Sequence, residues 1–270
     1  MSSVDPRLEG GPLVAVRGLA CGHRLGRPDE LITARDVDLE LAAGDLVGLV
    51  GAGKTSLLRV LAGLDVPAAG QAVVGGLDLA SATARERDQH RLRTVGLVAE
   101  RPESGLWTTL TAAENVQAPM LVAGVGRAQR LERVAELLEA VRLTVRAQHR
   151  PEALAGGDRL RLAIAVALAN RPPLLLVDDP AAELDRDTAR TVLFDLESLL
   201  RRSGTTALIA GGGPDVEPYV DRLHRLGTAA PPAPLPLPEP VPDAPPVRPP
   251  TALPALPAGS PPVPEIRGRA

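Results

Sequence analysis

The sequence predicts an α/β fold built around a parallel sheet, on the strength of three observations. The segments Leu174–Val177 and Thr206–Ala210 are almost entirely apolar, which is typical of strands that are buried on both faces of a sheet. Segments with a helical spacing of apolar residues alternate with these strands. A third apolar segment, Leu46–Val50, runs into a glycine-rich turn and then into a helix-like segment. This alternation favours parallel strands that are joined by helices.

Composition limits the classes of protein to which the chain can belong. Its 270 residues, 44% of them hydrophobic, suit one large domain or one domain plus an appendage. Aromatic residues make up only 1%, so Leu, Val and Ala must fill the core. The net charge of −3 argues against a dedicated nucleic-acid binder. The single cysteine, Cys21, fits a reducing compartment, and without a signal-like or membrane-length apolar segment we expect a cytosolic chain.

The first part of the chain contains short β segments that are separated by turns. We expect residues 1–12 to form a flexible arm, followed by short strands at Leu13–Val16 and Val37–Leu41. The segment Gln71–Leu79, interrupted by two glycines, predicts a hairpin edge. These segments predict a β layer that is distinct from the parallel sheet.

A helical insertion is predicted for about residues 101–157, after a compact strand at Val95–Ala99. Helical spacing extends over Thr109–Val116 and Arg127–Leu143. In the second of these helices, the apolar residues on one face are Leu131, Val134, Leu138 and Val141.

The last part of the chain alternates helices with the buried strands and then changes composition. A glycine turn at Leu154–Asp158 precedes a helix predicted over Arg159–Ala169, and another helix is predicted over about Arg186–Arg202. Residues 231–270 hold 16 of the 28 prolines, so residues 230–270 are predicted to be an extended, disordered tail. A solvated tail is the simpler interpretation, and a docking arm for a proline-reading partner is the alternative.

The glycine turn after Leu46–Val50 has the character of a phosphate-binding loop. Backbone N–H groups and the helix dipole at such a turn favour an anion, and Lys54 adds a positive charge. Lys54 is the only lysine among 30 basic residues. A chain that otherwise uses arginine has thus kept a compact ammonium group where a phosphate-binding loop needs one.

The same turn is unusually short. The letters from Gly48 to Thr55 fit G-x-x-x-x-G-K-[ST], but this register would place Leu49 and Val50 within the phosphate-binding turn, where bulky residues resist the required angles. If the strand ends at Val50, only Ala52 separates Gly51 from Gly53. The loop is then three residues shorter than the pattern.

Five stretches in a fixed order resemble the ATP-binding subunits of ABC transporters, over about residues 13–229. They are the Lys54 turn, Val95–Glu100, Leu154–Asp158, Leu174–Asp179 and Ala182–Asp185. The stretches from Thr111 to Val125 and from Ala167 to Pro172 look like the lipoprotein-releasing and macrolide-export branch. The resemblance implies a P-loop NTPase with a RecA-like parallel sheet, an antiparallel β subdomain and a helical insertion.

The resemblance also implies cofactors, partners and location. The cofactors would be ATP and Mg²⁺, and the nucleotide would lie between two head-to-tail ATP-binding subunits, in a homodimer or a heterodimer. This pair would sit on membrane permease subunits, peripheral to the inner face of the cell membrane and in the cytoplasm.

The resemblance places the nucleotide on the glycine turn. The phosphate-binding residues would be Gly51, Ala52, Gly53, Lys54, Thr55 and Ser56. Within this set, Lys54 would bind the β- and γ-phosphates and the Thr55 hydroxyl would bind Mg²⁺. His23 stands where the family stacks an aromatic ring on adenine, and an exposed loop histidine is the alternative.

The resemblance further implies the acids that handle metal and water. Asp178 matches the magnesium-orienting acid, with a solvated strand-end acid as the alternative. Asp179 stands where the family has a glutamate that polarises the attacking water. The aspartate side chain is shorter, and such misplacement can cost on the order of 100-fold in rate. A purely structural role for Asp179 is the alternative. Glu100 replaces a glutamine that touches the metal. A carboxylate can also bind Mg²⁺, and a strand-end surface acid is the alternative.

The residues that would contact the partner subunit's nucleotide depart from the family pattern L-S-G-G-Q. They are Ala155, Gly156, Gly157 and Asp158, together with the acid Asp185. Ala155 lacks the hydroxyl that would reach the γ-phosphate. Asp158 would repel that phosphate by roughly 4 kcal/mol at 4 Å and an effective dielectric of 20, so we interpret Asp158 as a helix cap. Asp185 fits the N-cap of the following helix equally well.

These departures set three functional hypotheses against one another. A slow transport ATPase is the first, a catalytically inactive regulatory subunit paired with a competent ATPase is the second, and a non-transport scaffold with the proline tail as its arm is the third. Gly211 also replaces the family's switch histidine. Because every departure weakens hydrolysis, the sequence predicts very low ATPase activity and weak ATP binding.

Overall fold

The computed structural model describes residues 11–23 and 31–227, which form one antiparallel and one parallel sheet with helices around them. The strands are β1 (Val14–His23), β2 (Leu31–Leu41), β3 (Leu46–Val50), β4 (Ala69–Val74), β5 (Leu77–Asp78), β6 (Val95–Val98), β7 (Leu174–Asp178), β8 (Thr206–Ala210) and β9 (Arg222–Arg225). The helices are α1 (Lys54–Leu61), α2 (Ala84–Arg93), α3 (Ala112–Val122), α4 (Arg127–Ala140), α5 (Gly156–Ala167), α6 (Arg186–Ser203) and α7 (Gly213–Val216).

The antiparallel sheet has the strand order β2-β1-β4-β5 and confirms the predicted β layer. Its first two strands are much longer than the short segments predicted, because irregular pairing with register shifts carries them past Val16 and back before Val37. The predicted hairpin is confirmed: β4 and β5 pair across the Gly75-Gly76 turn.

The parallel sheet has the strand order β6-β7-β8-β3-β9, and all its described pairings are parallel. Strand β7 shows why its sequence is continuously apolar. Leu174 and Leu176 pack into the core beside α1 and the antiparallel sheet, whereas Leu175 and Val177 pack into the core formed with α3–α6. Both faces of the strand are therefore buried, as predicted.

The helical insertion is confirmed, with different bounds. Helix α3 begins only at Ala112, where Thr111 and Glu114 form a capping box. Helix α4 buries Val134, Leu137 and Leu138. The prediction for Leu131 is wrong: its side chain is 52% exposed, because the first two turns of α4 extend beyond the core.

Other predicted bounds shift by a few residues. Helix α5 begins at Gly156, three residues before the predicted start, because the glycine turn itself enters the helix. Helix α2 was not predicted. Only His90 of its ten residues is buried, so it has no apolar face to detect, although the capping box of Thr83 and Glu86 marks its start.

Two of the sequence predictions fall mainly outside the described residues. These are the N-terminal arm, of which only residues 11 and 12 are described, and the proline-rich tail after residue 229. Within residues 11–23 and 31–227, no helix has the length and apolar character that crossing a membrane requires.

Candidate nucleotide site

The predicted phosphate-handling residues lie at the carboxyl edge of the parallel sheet. The glycine turn follows β3, Glu100 follows β6, and Asp178 and Asp179 lie at the end of β7. Parallel strands present their carboxyl ends at one edge, which is where open α/β sheets bind ligands. The fold therefore brings together residues that are far apart in sequence.

The short loop predicted from the sequence is confirmed. Strand β3 ends at Val50 and α1 begins at Lys54, so only Gly51, Ala52 and Gly53 connect them. The φ angles of the two glycines are +110° and +84°, in the region that glycine adopts without strain. No side chain caps the first turn of α1. The helix N-terminus therefore remains a place that favours an anion.

Strand β2 holds this loop from the antiparallel sheet. A Cβ atom on Gly53 would lie 2.7 Å from the Ala34 Cβ and 2.8 Å from the Thr33 carbonyl oxygen, so only glycine fits. The Thr33 hydroxyl donates a hydrogen bond to the Ser56 hydroxyl at 2.8 Å. The Ser56 side chain is 1% exposed and therefore ties the loop to β2, and phosphate contact by Ser56 remains a prediction.

Lys54 and Thr55 present their side chains differently. The Thr55 hydroxyl donates a hydrogen bond to Asp178 Oδ1 at 3.2 Å, which connects α1 to the end of β7. In the described part of the chain, no carboxylate lies within 4 Å of the Lys54 ammonium group. Phosphate contact by Lys54 remains a prediction, and Thr55 is paired with the acid that is predicted beside Mg²⁺.

The carboxylates at this edge of the sheet outnumber the single cationic side chain, Lys54, that lies near them among the described residues. Burial raises the pKa of Asp178, and the charges of Glu100 and Asp179 add to this effect, against the hydrogen bond from Thr55 and the attraction of Lys54. Burial also raises the pKa of Asp179; Lys54 opposes the shift, while Glu100 and Asp215 reinforce it. A cation bound here would relieve this repulsion.

Asp179 occupies a constrained position. Its φ is +40°, which is uncommon for a residue other than glycine, and its N–H donates to the Ala210 carbonyl oxygen at 3.0 Å. The backbone of Asp179 is therefore fixed to the end of β8, while its carboxylate is half-buried. Glu100 is exposed. Their roles with water and metal remain predictions.

Asp215 belongs to this acidic edge, and the sequence analysis missed it. It lies in the short helix α7, close enough to Asp179 to raise the pKa of that residue. The turn from Gly211 to Pro214 brings Asp215 back over the sheet edge. No motif marks this residue; the only available signal is its position five residues after a strand of the parallel sheet.

Gly211 has no room for the histidine that the family carries at this position. A Cβ atom on Gly211 would lie 2.7 Å from Val216 Cγ1, and the glycine itself is buried. Its N–H donates to the Leu49 carbonyl oxygen at 3.1 Å. The loss of the histidine is therefore built into the packing of α7 against the sheet.

The residues predicted to contact a partner's nucleotide form a second cluster at the N-termini of α5 and α6. A Cβ atom on Gly157 would lie 2.6 Å from Thr188 Cγ2, and one on Gly156 would lie 3.3 Å from Leu184 Cδ2. Asp185 caps α6 by accepting a hydrogen bond from the Thr188 N–H at 3.0 Å, which lowers the pKa of Asp185. The N-cap prediction for Asp185 is confirmed, and the two helix starts lie side by side.

The prediction that Asp158 caps α5 is wrong. The N-cap residue is Ala155, and no side chain accepts a hydrogen bond there. Asp158 is 8% exposed and instead forms ion pairs with Arg146 and, at 3.6 Å, with Arg161. Two arginines satisfy this carboxylate better than the backbone N–H groups of the helix start would.

Two further predictions concern adenine and metal. His23 is the last residue of β1, but its side chain is not described, so stacking on adenine remains a prediction. Within the described ranges, no three side chains of the His, Cys, Asp and Glu types form a metal site on their own. The Thr55 and Asp178 oxygens suit Mg²⁺, which is commonly held by few protein ligands plus phosphate and water.

A protein-family model described as "ABC transporter" matches residues 34–182. These residues include β3, the short loop, the acids at the end of β7 and both glycines of the α5 turn.

Relatives of known name match over most of their length. The lipoprotein-releasing system ATP-binding protein LolD of Ruegeria sp. (strain TM1040) is 40% identical over 214 residues, which cover 78% of this chain and 93% of that protein. The protein LolD 1 of the same system from Rhodospirillum rubrum is 41% identical over 189 residues, covering 69% of this chain and 83% of the relative.

A solved structure shares the fold. It is the dimer of an ATP-binding cassette in a post-hydrolysis state, bound to ADP and Pi, with a TM-score of 0.70 and 27% identity. The match covers 79% of this chain and 94% of that one.

Proposed function

Because the chain belongs to the ABC transporter family and is an ATP-binding subunit of that kind, we propose that it binds Mg·ATP on Gly51–Ser56 and couples binding to a membrane permease. In this proposal Lys54 holds the β- and γ-phosphates, while Thr55 and Asp178 hold Mg²⁺. Asp179 orients the attacking water, and Glu100 lies beside the metal. Hydrolysis is slow.

The hydrogen bond of 3.2 Å between Thr55 and Asp178 carries this proposal. It joins the hydroxyl at the start of α1 to the acid at the end of β7, across 123 residues of sequence. Beside it lie an uncapped helix start and Lys54, which has no ion-pair partner among residues 11–23 and 31–227. These features support a site for phosphate and metal despite the shortened loop.

The proposal of slow hydrolysis rests on what surrounds the γ-phosphate position. The carboxylate of Asp179 is one methylene shorter than that of glutamate, and its backbone is fixed to Ala210, so the chain cannot shift to compensate. Gly211 offers no side chain, and packing leaves no space for one. Misplaced or missing groups of this kind cost on the order of 100-fold each in rate.

The names of the relatives suggest the system that this subunit serves. Those relatives are ATP-binding proteins of lipoprotein-releasing systems. We propose that this chain serves a permease of the same class, from the cytoplasmic face of the membrane, and that it pairs with a second ATP-binding subunit through the α5 and α6 helix starts.

Calorimetric titration of the full chain with Mg·ATP tests the binding proposal. We expect saturable binding with a Kd weaker than about 10 μM, because a three-residue loop supplies fewer N–H groups than a complete one. The substitution Lys54→Ala should weaken binding more than tenfold, and Lys54→Arg should recover only part of it, because a planar guanidinium does not replace a compact ammonium group. Unchanged affinity in Lys54→Ala would contradict the assignment.

Co-purification with the permease, followed by an ATPase assay, tests the proposed pairing with a permease and the proposed slow hydrolysis. A stable complex with very slow phosphate release is expected. A rate typical of active transporters, abolished by Lys54→Ala, would contradict slow hydrolysis. Failure to co-purify with any permease would favour a scaffold.

A further inference from the structure

A network of ion pairs surrounds the start of α5. Asp158 contacts Arg146, which lies in a 3-10 turn after α4, and Arg161, one turn further along α5. Arg161 also binds Asp195 of α6 at 3.0 Å, and Asp195 binds Arg142 at 2.7 Å. We call these five residues the α5 charge network.

The members of the network differ in exposure. The side chains of Asp158, Arg161 and Asp195 are only 12–14% exposed, whereas Arg146 is 47% exposed. Arg142 is 66% exposed and, among the residues that the structure describes, forms an ion pair with Asp195 alone. Since buried charges must be paired, Asp158 depends on its two arginines. Arg146 is the partner that comes from outside α5 and α6, and it can be removed without changing either helix.

The position of Asp158 means that its negative charge affects anion binding at the start of α5. It lies in the first turn of α5, whose N-cap Ala155 offers no side-chain oxygen and whose start lies against that of α6. A bare carboxylate there would compete with any anion for the positive end of the helix. With Arg146 and Arg161 in contact, the carboxylate is neutralised within the protein and the positive end of the helix stays available.

We propose that Arg146 is a positioning residue that neutralises Asp158 and so allows the α5 start to accept the ATP phosphates carried by a second copy of this chain. The inference rests on the proposed function, because it requires ATP on the second copy. It adds a residue outside the glycine turn and the α5 turn to the nucleotide site, and it explains how an acid is tolerated where an anion must bind.

ATP-dependent self-association of the full chain, measured by sedimentation velocity across a concentration series, tests the proposal. All variants carry Asp179→Asn so that ATP is not consumed. Arg146→Ala should weaken association about tenfold or more, because it uncovers a negative charge against the phosphates. The double variant Arg146→Ala/Asp158→Asn should recover association to within about threefold, because no negative charge then remains to repel the phosphates.

Arg142→Ala is the matched control, since it also removes an arginine from the network but does not touch Asp158. It should leave association unchanged. A purely structural role for the network predicts instead that the loss of association in Arg146→Ala disappears once association is corrected for the folded fraction measured by chemical denaturation, and that result would overturn the proposal. Unchanged association in Arg146→Ala would overturn it too.

Binding of a fluorescent ATP analogue to the dilute monomer separates this inference from the proposed function. It should be equal in the parent and in Arg146→Ala, and should be lost in Lys54→Ala. If the parent does not bind the analogue, the proposed function itself fails. If the parent binds it but does not self-associate with ATP, only the role of the α5 start is overturned.

Discussion

Two regions of this cassette are proposed to meet phosphate, and their charges are paired in opposite ways. At the carboxyl edge of the parallel sheet, Asp178 and Asp179 lie near Glu100 and Asp215 with one lysine, and burial raises the pKa of both aspartates. At the start of α5, Asp158 is about as buried as Asp178 but is held by two arginines. The first region is left electrostatically unsatisfied, and the second is satisfied within the protein.

The difference shows which region needs a ligand. Carboxylates that repel one another gain stability when a cation arrives, so the edge of the sheet is arranged for Mg²⁺ to complete. The α5 start gains nothing from a cation, because its acid is already paired; only the dipole of the helix remains unsatisfied. In the proposed function, the first region would bind Mg·ATP and the second would meet the phosphates of ATP bound to a second copy.

Lengthening the glycine turn is the change with the largest expected effect, and the affected quantity is the affinity of the sheet-edge region for ATP. Insertion of Gly-Ser-Gly after Gly51 restores four residues before Gly53, as the complete pattern requires. Each N–H group that reaches a phosphate is worth about 1.5–3 kcal/mol, so a single new contact should raise ATP affinity by roughly tenfold to 100-fold. Calorimetric titration with Mg·ATP measures the change.

The same insertion after Gly124 is the control, because a Cβ atom at Gly124 meets nothing within 4 Å and the turn between α3 and α4 is exposed. It should leave ATP affinity unchanged. If both insertions leave ATP affinity unchanged, or if the Gly51 insertion lowers it, the short turn already supplies all the N–H groups that the phosphates need. The prediction that the short turn weakens ATP binding is then wrong.

A smaller effect is expected at the α5 start. Gly157→Ala would place a Cβ atom 2.6 Å from Thr188 Cγ2 and should cost about 1–3 kcal/mol by forcing α5 and α6 apart. Gly156→Ala, with its nearest contact at 3.3 Å, should cost clearly less. Chemical denaturation measures stability, and ATP titration of the monomer should be unaffected by either variant. Equal costs for the two variants would mean that the helices adjust freely and that their junction does not fix the site.

The sheet-edge region was largely predictable from sequence, and the α5 region was not. Strand–turn–helix order and the acids after apolar strands place Lys54, Thr55, Asp178 and Asp179 at one edge, because parallel strands end together. The short loop could also be predicted from sequence, because Leu49 and Val50 are too bulky for the phosphate-binding turn and therefore belong to the strand. These inferences need only local pattern and topology.

The α5 charge network depends on tertiary placement that no spacing reveals. Arg146 and Asp195 are 12 and 37 positions from Asp158, and a dipole argument alone predicted a cap where an ion pair with Arg146 exists. Asp215 was missed for the same reason. Long-range partners therefore account for the misses at Asp158 and Asp215, whereas α2 was missed for a local reason, because its polar sequence lacks an apolar face.

The smallest expected effect concerns the unsatisfied charge of Asp178. Folding raises the pKa of this carboxyl above its ordinary value of 3.8, chiefly because it is buried. The folded state then binds a proton more tightly than the unfolded state. Stability is therefore lost as pH rises from 3.8 through the raised pKa, and the loss persists at neutral pH. The ionised carboxylate of Asp178 therefore lowers the free energy of unfolding in the absence of Mg²⁺.

Asp178→Asn removes that charge but keeps an oxygen that can accept the hydrogen bond from Thr55. At pH 7 the variant should melt about 1–3 °C above the parent, and below pH 3.8 the difference should vanish, because the parent carboxyl is then protonated in both states. Adding Mg·ATP should reverse the order, since only the parent gains a metal ligand. Melting curves at two pH values, with and without Mg·ATP, measure all four cases. A variant that melts lower than the parent at pH 7 without ligand would show that Asp178 is satisfied in the free protein, and the contrast between the two regions would fail.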